Sequence, residues 1–145
     1  MAVTALLYGK LWENQFGTAP TVWASDTIKV ALTTSTYTPN QDTHDFFNDV
    51  TNEVTGTGYT AGGATLASKT ATYTTGTNTC AFDAADTSWT TSTITARYAV
   101  VYKSTGTAST SPLIAYIDFG ADVVSSGGTF QITWDSAGIF TLAAA

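Results

Sequence analysis

Cysteine is nearly absent from this 145-residue chain: Cys80 stands alone, so neither an internal disulfide nor a cysteine-rich zinc site can supply stability. Histidine is as scarce, with His44 the only one. Basic residues number five against eleven acidic ones, a formal charge of −6. A field of that sign repels phosphate backbones and anionic lipid, so neither nucleic acid nor membrane is an expected partner. No window reaches the roughly twenty apolar residues needed to cross a bilayer. The opening MAVTALLYGKLWENQF also lacks a basic start followed by a long apolar segment, so synthesis and retention in the cytoplasm are expected.

What the chain has in plenty is threonine, 31 residues against sixteen charged ones. Threonine is β-branched and suits pleated, half-buried surfaces, while its hydroxyl caps turns without the solvation cost of a charge. The pattern agrees with that composition. Ile28, Val30 and Leu32 alternate with Lys29, Ala31 and Thr33 in a strand over 27–33, its apolar set facing inward. A second strand is expected over 64–73 and a short one at Cys80 and Phe82. A central strand over 93–103 sets Ala96, Tyr98, Val100 and Tyr102 against Arg97, Ala99 and Val101, and is a candidate for cover on both sides. Residues 113–119 alternate again, with Leu113, Ala115, Ile117 and Phe119 on one face. Strands over 129–134 and 139–142 are separated by Asp135–Gly138, a spacing compatible with a short hairpin.

These short strands and polar turns, with no regular alternation of strand and long helix, predict an all-β chain: an antiparallel β-sandwich, jelly-roll-like. One domain over 26–145 is expected, preceded by an arm or short helix plus linker over 1–25. Within that arm Leu7 and Leu11, four apart, share one face of a short helix. Residues 40–50 read as a loop with one or two helical turns, where Phe46 and Val50 plug a sheet edge or a neighbouring subunit. Gly56, Gly58, Gly62 and Gly63 supply bends in a surface loop; no strand and helix flank them as a phosphate cradle requires.

Candidate chemistry is thin. His44 lies near Asp42, Asp45 and Asp49, a grouping able in principle to hold a metal or move a proton, but it lacks a second histidine and a nucleophile and reads as a hydrogen-bonding loop residue. Asp83, Asp86, Asp118, Asp122 and Asp135 stand at turns and strand exits and read as amide caps rather than a glycosidase pair. Cys80 alternates with Phe82 as a buried thiol. The expectation is no catalytic residue, no cofactor and no metal.

Aromatics outside the strand pattern are better candidates for contact. Leu7, Leu11, Trp12, Phe16 and Trp23 in the N-terminal stretch, with Phe46 and Phe47 in the loop, are the expected interface residues, since association would remove their surface from water.

Several runs resemble a family of small tailed-bacteriophage virion structural proteins: DTIKVALTTSTYTPNQDTHDFFNDVTNEVTGTGYTAGGATLASK, TARYAVVYK, STSPLIAYIDFG and GTFQITWDSAGIFTL, together covering roughly residues 26 to 142. The N-terminal stretch departs from that pattern. The resemblance implies a non-enzymatic particle component and carries over no catalytic residues. The role expected first is a capsid decoration, or cement, subunit on the outer capsid surface, made in the host cytoplasm and bound to the major capsid protein. As a shell cement it is expected to be a homo-oligomer, a trimer at local threefold positions. A tail or head-tail connector protein is the alternative, and a receptor- or glycan-binding module a more distant one.

Overall fold

The computed structural model describes residues 2–144. Two antiparallel sheets form the body, the all-β sandwich expected from the sequence. The larger is ordered β1 (Thr4–Leu7), β7 (Leu113–Ile132), β6 (Thr87–Lys103), β2 (Ile28–Thr33), β3 (Ala64–Thr65); the smaller is ordered β4 (Thr70–Thr74), β5 (Thr79–Asp83), β8 (Phe140–Ala143). One helix, α1 (Lys10–Phe16), follows β1 and ends at Gly17. A single turn of 3₁₀ helix at Phe47–Asp49 answers the helical spacing read in that loop.

The larger sheet is covered on both faces. On one, Ile28, Val30, Leu32, Ala99 and Val101 pack with Leu11, Trp23 and the edge of the smaller sheet. On the other, Ala31, Val100 and Leu113 pack with Tyr8 and with Tyr37 from the 34–50 loop. Ala31 and Thr33, read as the polar side of β2, are therefore buried too.

Bulges reset the alternation where the sequence shows none. In β6 the register slips between Trp89 and Ser92, where Thr91 takes φ +50°, and again between Ala96 and Tyr98. Each slip turns the following residues over. Ala96 thus joins Ala99 and Val101 in the main core instead of the face of Tyr98 and Tyr102. In β7 Val101 pairs with Ala115 but Tyr102 with Leu113, so Ile114 is the extra residue and Leu113 moves to the face opposite Ala115 and Ile117.

Other expectations are corrected by chain pairing. Leu7 ends a strand rather than sharing a helix with Leu11, because the 4–7 segment adds to the edge of β7. The strand expected over 64–73 is split between the two sheets, with Ser68 at φ +51° between the pieces. Residues 113–132 run as one strand through Gly120 and Gly127, both at positive φ, joining the separate strands expected over 113–119 and 129–134. The 129–134 and 139–142 segments do not form a hairpin with each other. Gly138, at φ +112°, turns the chain so that the Ile139 N–H donates to Phe82 O at 2.8 Å, and β8 pairs with β5.

Among the described residues three buried side-chain polar atoms, Thr21 Oγ1, Thr33 Oγ1 and Trp134 Nε1, lack a hydrogen-bond partner. The Thr33 hydroxyl is enclosed and makes no hydrogen bond. Thr33→Val keeps the branched shape and removes that desolvated hydroxyl, so it is expected to stabilise the fold by about 1 kcal/mol in urea unfolding. A loss of stability would mean that the hydroxyl is satisfied.

Candidate functional site

An apolar shelf hangs off the smaller sheet. Tyr73 pairs with Cys80 and Cys80 with Leu142, while Ala71 pairs with Phe82 and Phe82 with Phe140. Because side chains alternate with period two, all six lie on one face. At the Phe82 end of that face the Phe82 and Phe140 rings stack at 4.7 Å, and Trp23 meets them edge-on at 5.9 and 5.5 Å. The other end extends past the body, leaving Tyr73 54% exposed.

Helix α1 stands opposite this overhang. Its Leu11 is buried in the core, Trp12 is 39% exposed, and Phe16, in its last turn, is 86% exposed. Between Trp12 and Phe16 on one side and Phe140 and Leu142 on the other is an open apolar cleft of about 200 Å³, floored by Trp23 and Ile114. A cavity of about 150 Å³ accepts benzene, so this cleft has room for one ring or branched aliphatic side chain.

The wall formed by the 17–26 connection is braced by polar contacts. The Gln15 side-chain amide clamps the Thr21 backbone, accepting from its N–H at 2.8 Å and donating to its carbonyl at 3.1 Å. Lys103 donates to Pro20 O at 2.7 Å and pairs with Asp26 at 2.9 Å. The Trp23 indole N–H donates to Asp83 O at 3.1 Å, tying this wall to β5. The Thr21 hydroxyl, on the cleft lining, is buried without a partner. The cleft thus offers apolar surface and one unanswered hydroxyl.

Of the expected interface residues, Leu11, Trp12, Phe16 and Trp23 converge here, but Leu11 and Trp23, 6% and 5% exposed, already spend their surface inside the chain's own core. Only Trp12 and Phe16 are presented outward. Leu7 packs beside the main core. Phe46 and Phe47 belong to another part of the surface: Phe47 stacks on Tyr102 at 4.0 Å, and Phe46 lies against Pro112 beside Lys103. Gln15, Thr21, Tyr73 and Leu142 were not singled out from sequence. For Tyr73 and Leu142 the period-two signal was present, but which end of a sheet overhangs depends on pairing partners far away in the chain.

The polar candidates are bound up in the framework. His44 accepts or donates at Nδ1 to the Tyr37 hydroxyl at 3.0 Å, which meets the fully buried Tyr8 hydroxyl at 2.9 Å. Burial raises the Tyr8 and Tyr37 phenols above their ordinary range, so both stay protonated. Asp118 is held below the usual carboxylate range by its hydrogen bond from Arg97 at 2.6 Å and also accepts from the Gly120 N–H. Asp45 is pushed upward by burial and by Asp49 beside it. Asp83, Asp86 and Asp135 accept from the N–H groups of Ala84, Trp134 and Ala137. Among the described residues no three His, Cys, Asp or Glu side chains are grouped to hold a metal ion, and no helix is long and apolar enough to cross a membrane.

The most prominent arrangement is therefore a braced, ring-sized apolar cleft beside an exposed phenylalanine. Comparison with protein-family models, with curated proteins and with solved structures finds no match for this chain.

Proposed function

We propose that the chain is a non-enzymatic structural component of a tailed-bacteriophage virion, a capsid decoration subunit that docks on the major capsid protein through the cleft between α1 and the smaller sheet. The observation that carries the docking reading is the open cleft: Leu142 of the smaller sheet lines it together with Trp12 and Phe16, which are 39% and 86% exposed, and Tyr73 on the same sheet face is 54% exposed. The sequence runs quoted above supply the viral context, and the shell as partner is part of the proposal. An apolar side chain from the shell subunit fills the cleft, and Phe16 packs alongside it. Buried aromatic anchors of this kind dominate interface energies, while a threonine-rich surround keeps the rim hydrated.

Phe16→Ala tests this directly. The side chain is 86% exposed, so the variant is expected to unfold within about 0.5 kcal/mol of wild type. Added to purified shells assembled without the chain, it is expected to bind about thirtyfold more weakly, the effect of losing a hot-spot aromatic. Equal binding by wild type and variant would remove the cleft from the interface. Wild-type attachment to tails or portals, with none to shells, would move the chain to the connector role.

A further inference from the structure

A second surface points to a second partner. β1 is an edge strand, paired with β7 on one side only. Its hydrogen-bond phase can be read from its neighbours: Tyr8 N–H donates inward to Ile114 O, so Leu6 and Thr4 also bond inward, and Leu7 and Ala5 turn their backbone groups outward. The Leu7 carbonyl confirms the phase, because it accepts from the Gln41 side chain instead of from β7. That leaves the N–H and C=O of Ala5 and the N–H of Leu7 directed away from the sheet.

Soluble proteins guard such edges with lysine, proline, bulges or a covering loop. This edge has little of that protection. Ala2 to Gly9 contain no charged side chain and no proline, the β1 to β7 register is regular, and among the described residues a side chain caps only the Leu7 carbonyl. Val3 is 64% exposed and Leu6 39%. Beside the strand, between it and the chain entering β8, runs a groove to which Ala5, Gly138 and Ile139 are common, lined in one part by Ile117, Ile132, Gln131 and Asp135 and in the other by Phe140.

We propose that the outward edge of β1 pairs antiparallel with β1 of a second copy of this chain, joining the two larger sheets across a twofold axis at Ala5. The geometry is self-complementary. With Ala5 opposite Ala5, the two residues exchange both backbone hydrogen bonds, and each Leu7 N–H reaches the Val3 carbonyl of the other copy. Each Val3 side chain then lies beside the other copy's Leu7, on the groove side, and each Leu6 beside the other copy's Thr4. Charge favours the same face. Two copies carrying −6 repel one another over most approaches, whereas this stretch is uncharged, and Asp118, the register partner of Thr4, is already paired with Arg97. A twofold contact satisfies both copies' free groups at once, which a heterologous strand need not do.

This contact is separate from the cleft at α1 and does not rest on its use. The test is sedimentation of the full chain over a concentration series, with Ala5→Pro as the variant. Proline at 5 removes an N–H that β7 does not use, so the fold is retained while both central intermolecular bonds are lost. Wild type is expected to reach twice 15.1 kDa and Ala5→Pro to associate about thirtyfold more weakly. A Val3→Lys, Leu6→Lys double variant, altered only at exposed side chains, should also be monomeric. The indole N–H resonance of Trp134, which lines the groove, should move with concentration in wild type and stay fixed in both variants. Wild type that is monomeric up to about 1 mM, or dimers or trimers insensitive to Ala5→Pro, would overturn the proposal. Shell binding by Phe16→Ala is unaffected by either outcome.

Discussion

Trp23→Ala is expected to cost about 3–5 kcal/mol and to loosen the smaller sheet before the rest of the molecule. Trp23 is the joint between the layers. Its ring meets Phe82 and Phe140 edge-on, and its N–H ties the 17–26 connection to Asp83 of β5. Removing it leaves a cavity where the sheets meet and breaks the one side-chain hydrogen bond, among the described residues, between that connection and β5. Urea unfolding should show the lowered midpoint, and amide exchange should accelerate at Thr79–Asp83 more than at Val100 or Val101. Uniform acceleration across both sheets would contradict the view that Trp23 fastens one to the other. Trp23→Phe, which keeps an aromatic ring, should recover part of the loss.

A change of one methyl group is expected to do comparable damage at Gly63. Gly63 has φ +72°, and a Cβ there would collide with the backbone of β2, meeting Val30 O and lying 2.6 Å from Ala31 Cα. That backbone belongs to Val30 and Ala31, both fully buried, and has no room to retreat. Gly63→Ala should therefore cost more than about 4 kcal/mol, a large share of the stability of an ordinary domain. Gly106→Ala is the matched control: its φ is +89°, but a Cβ meets nothing within 4 Å. It should cost only the backbone strain, about 1–2 kcal/mol. If the two variants unfold at the same denaturant concentration, close approach of the 56–63 loop to β2 is not what makes glycine necessary.

The parts of the fold that could be read in the sequence are those where one local period runs without interruption. Ile28, Val30 and Leu32 announce β2, and Phe82 announces β5. Bulges are less legible, since a slip of one residue leaves no mark in composition: Ala96 and Leu113 sit on faces opposite those their neighbours suggest, although each lies in a strand that was recognised. Pairing between distant segments is harder still. Nothing local to Phe140–Ala143 says that it pairs with β5 rather than β7, and nothing in TALL separates an edge strand from the first turn of a helix. Trp12 and Phe16 were legible as apolar residues outside any strand pattern. Trp23 carried the same signal but is buried, because the connection that bears it is folded back and held by Gln15 and Lys103.

The two proposed surfaces are distinct, one between α1 and the smaller sheet and the other along the outer edge of β1. On the proposals made above, the cleft at α1 receives a side chain of the shell and the β1 edge the backbone of a second copy.

The most direct measurement is cryo-microscopy of native particles from the culture that produces this chain. The account predicts density for the sandwich on the outer shell, with α1 and the 140–142 strand turned towards the major capsid protein and an apolar shell side chain between Phe16 and Leu142. Particles in which the chain is absent, or in which that cleft faces open solvent, would contradict it.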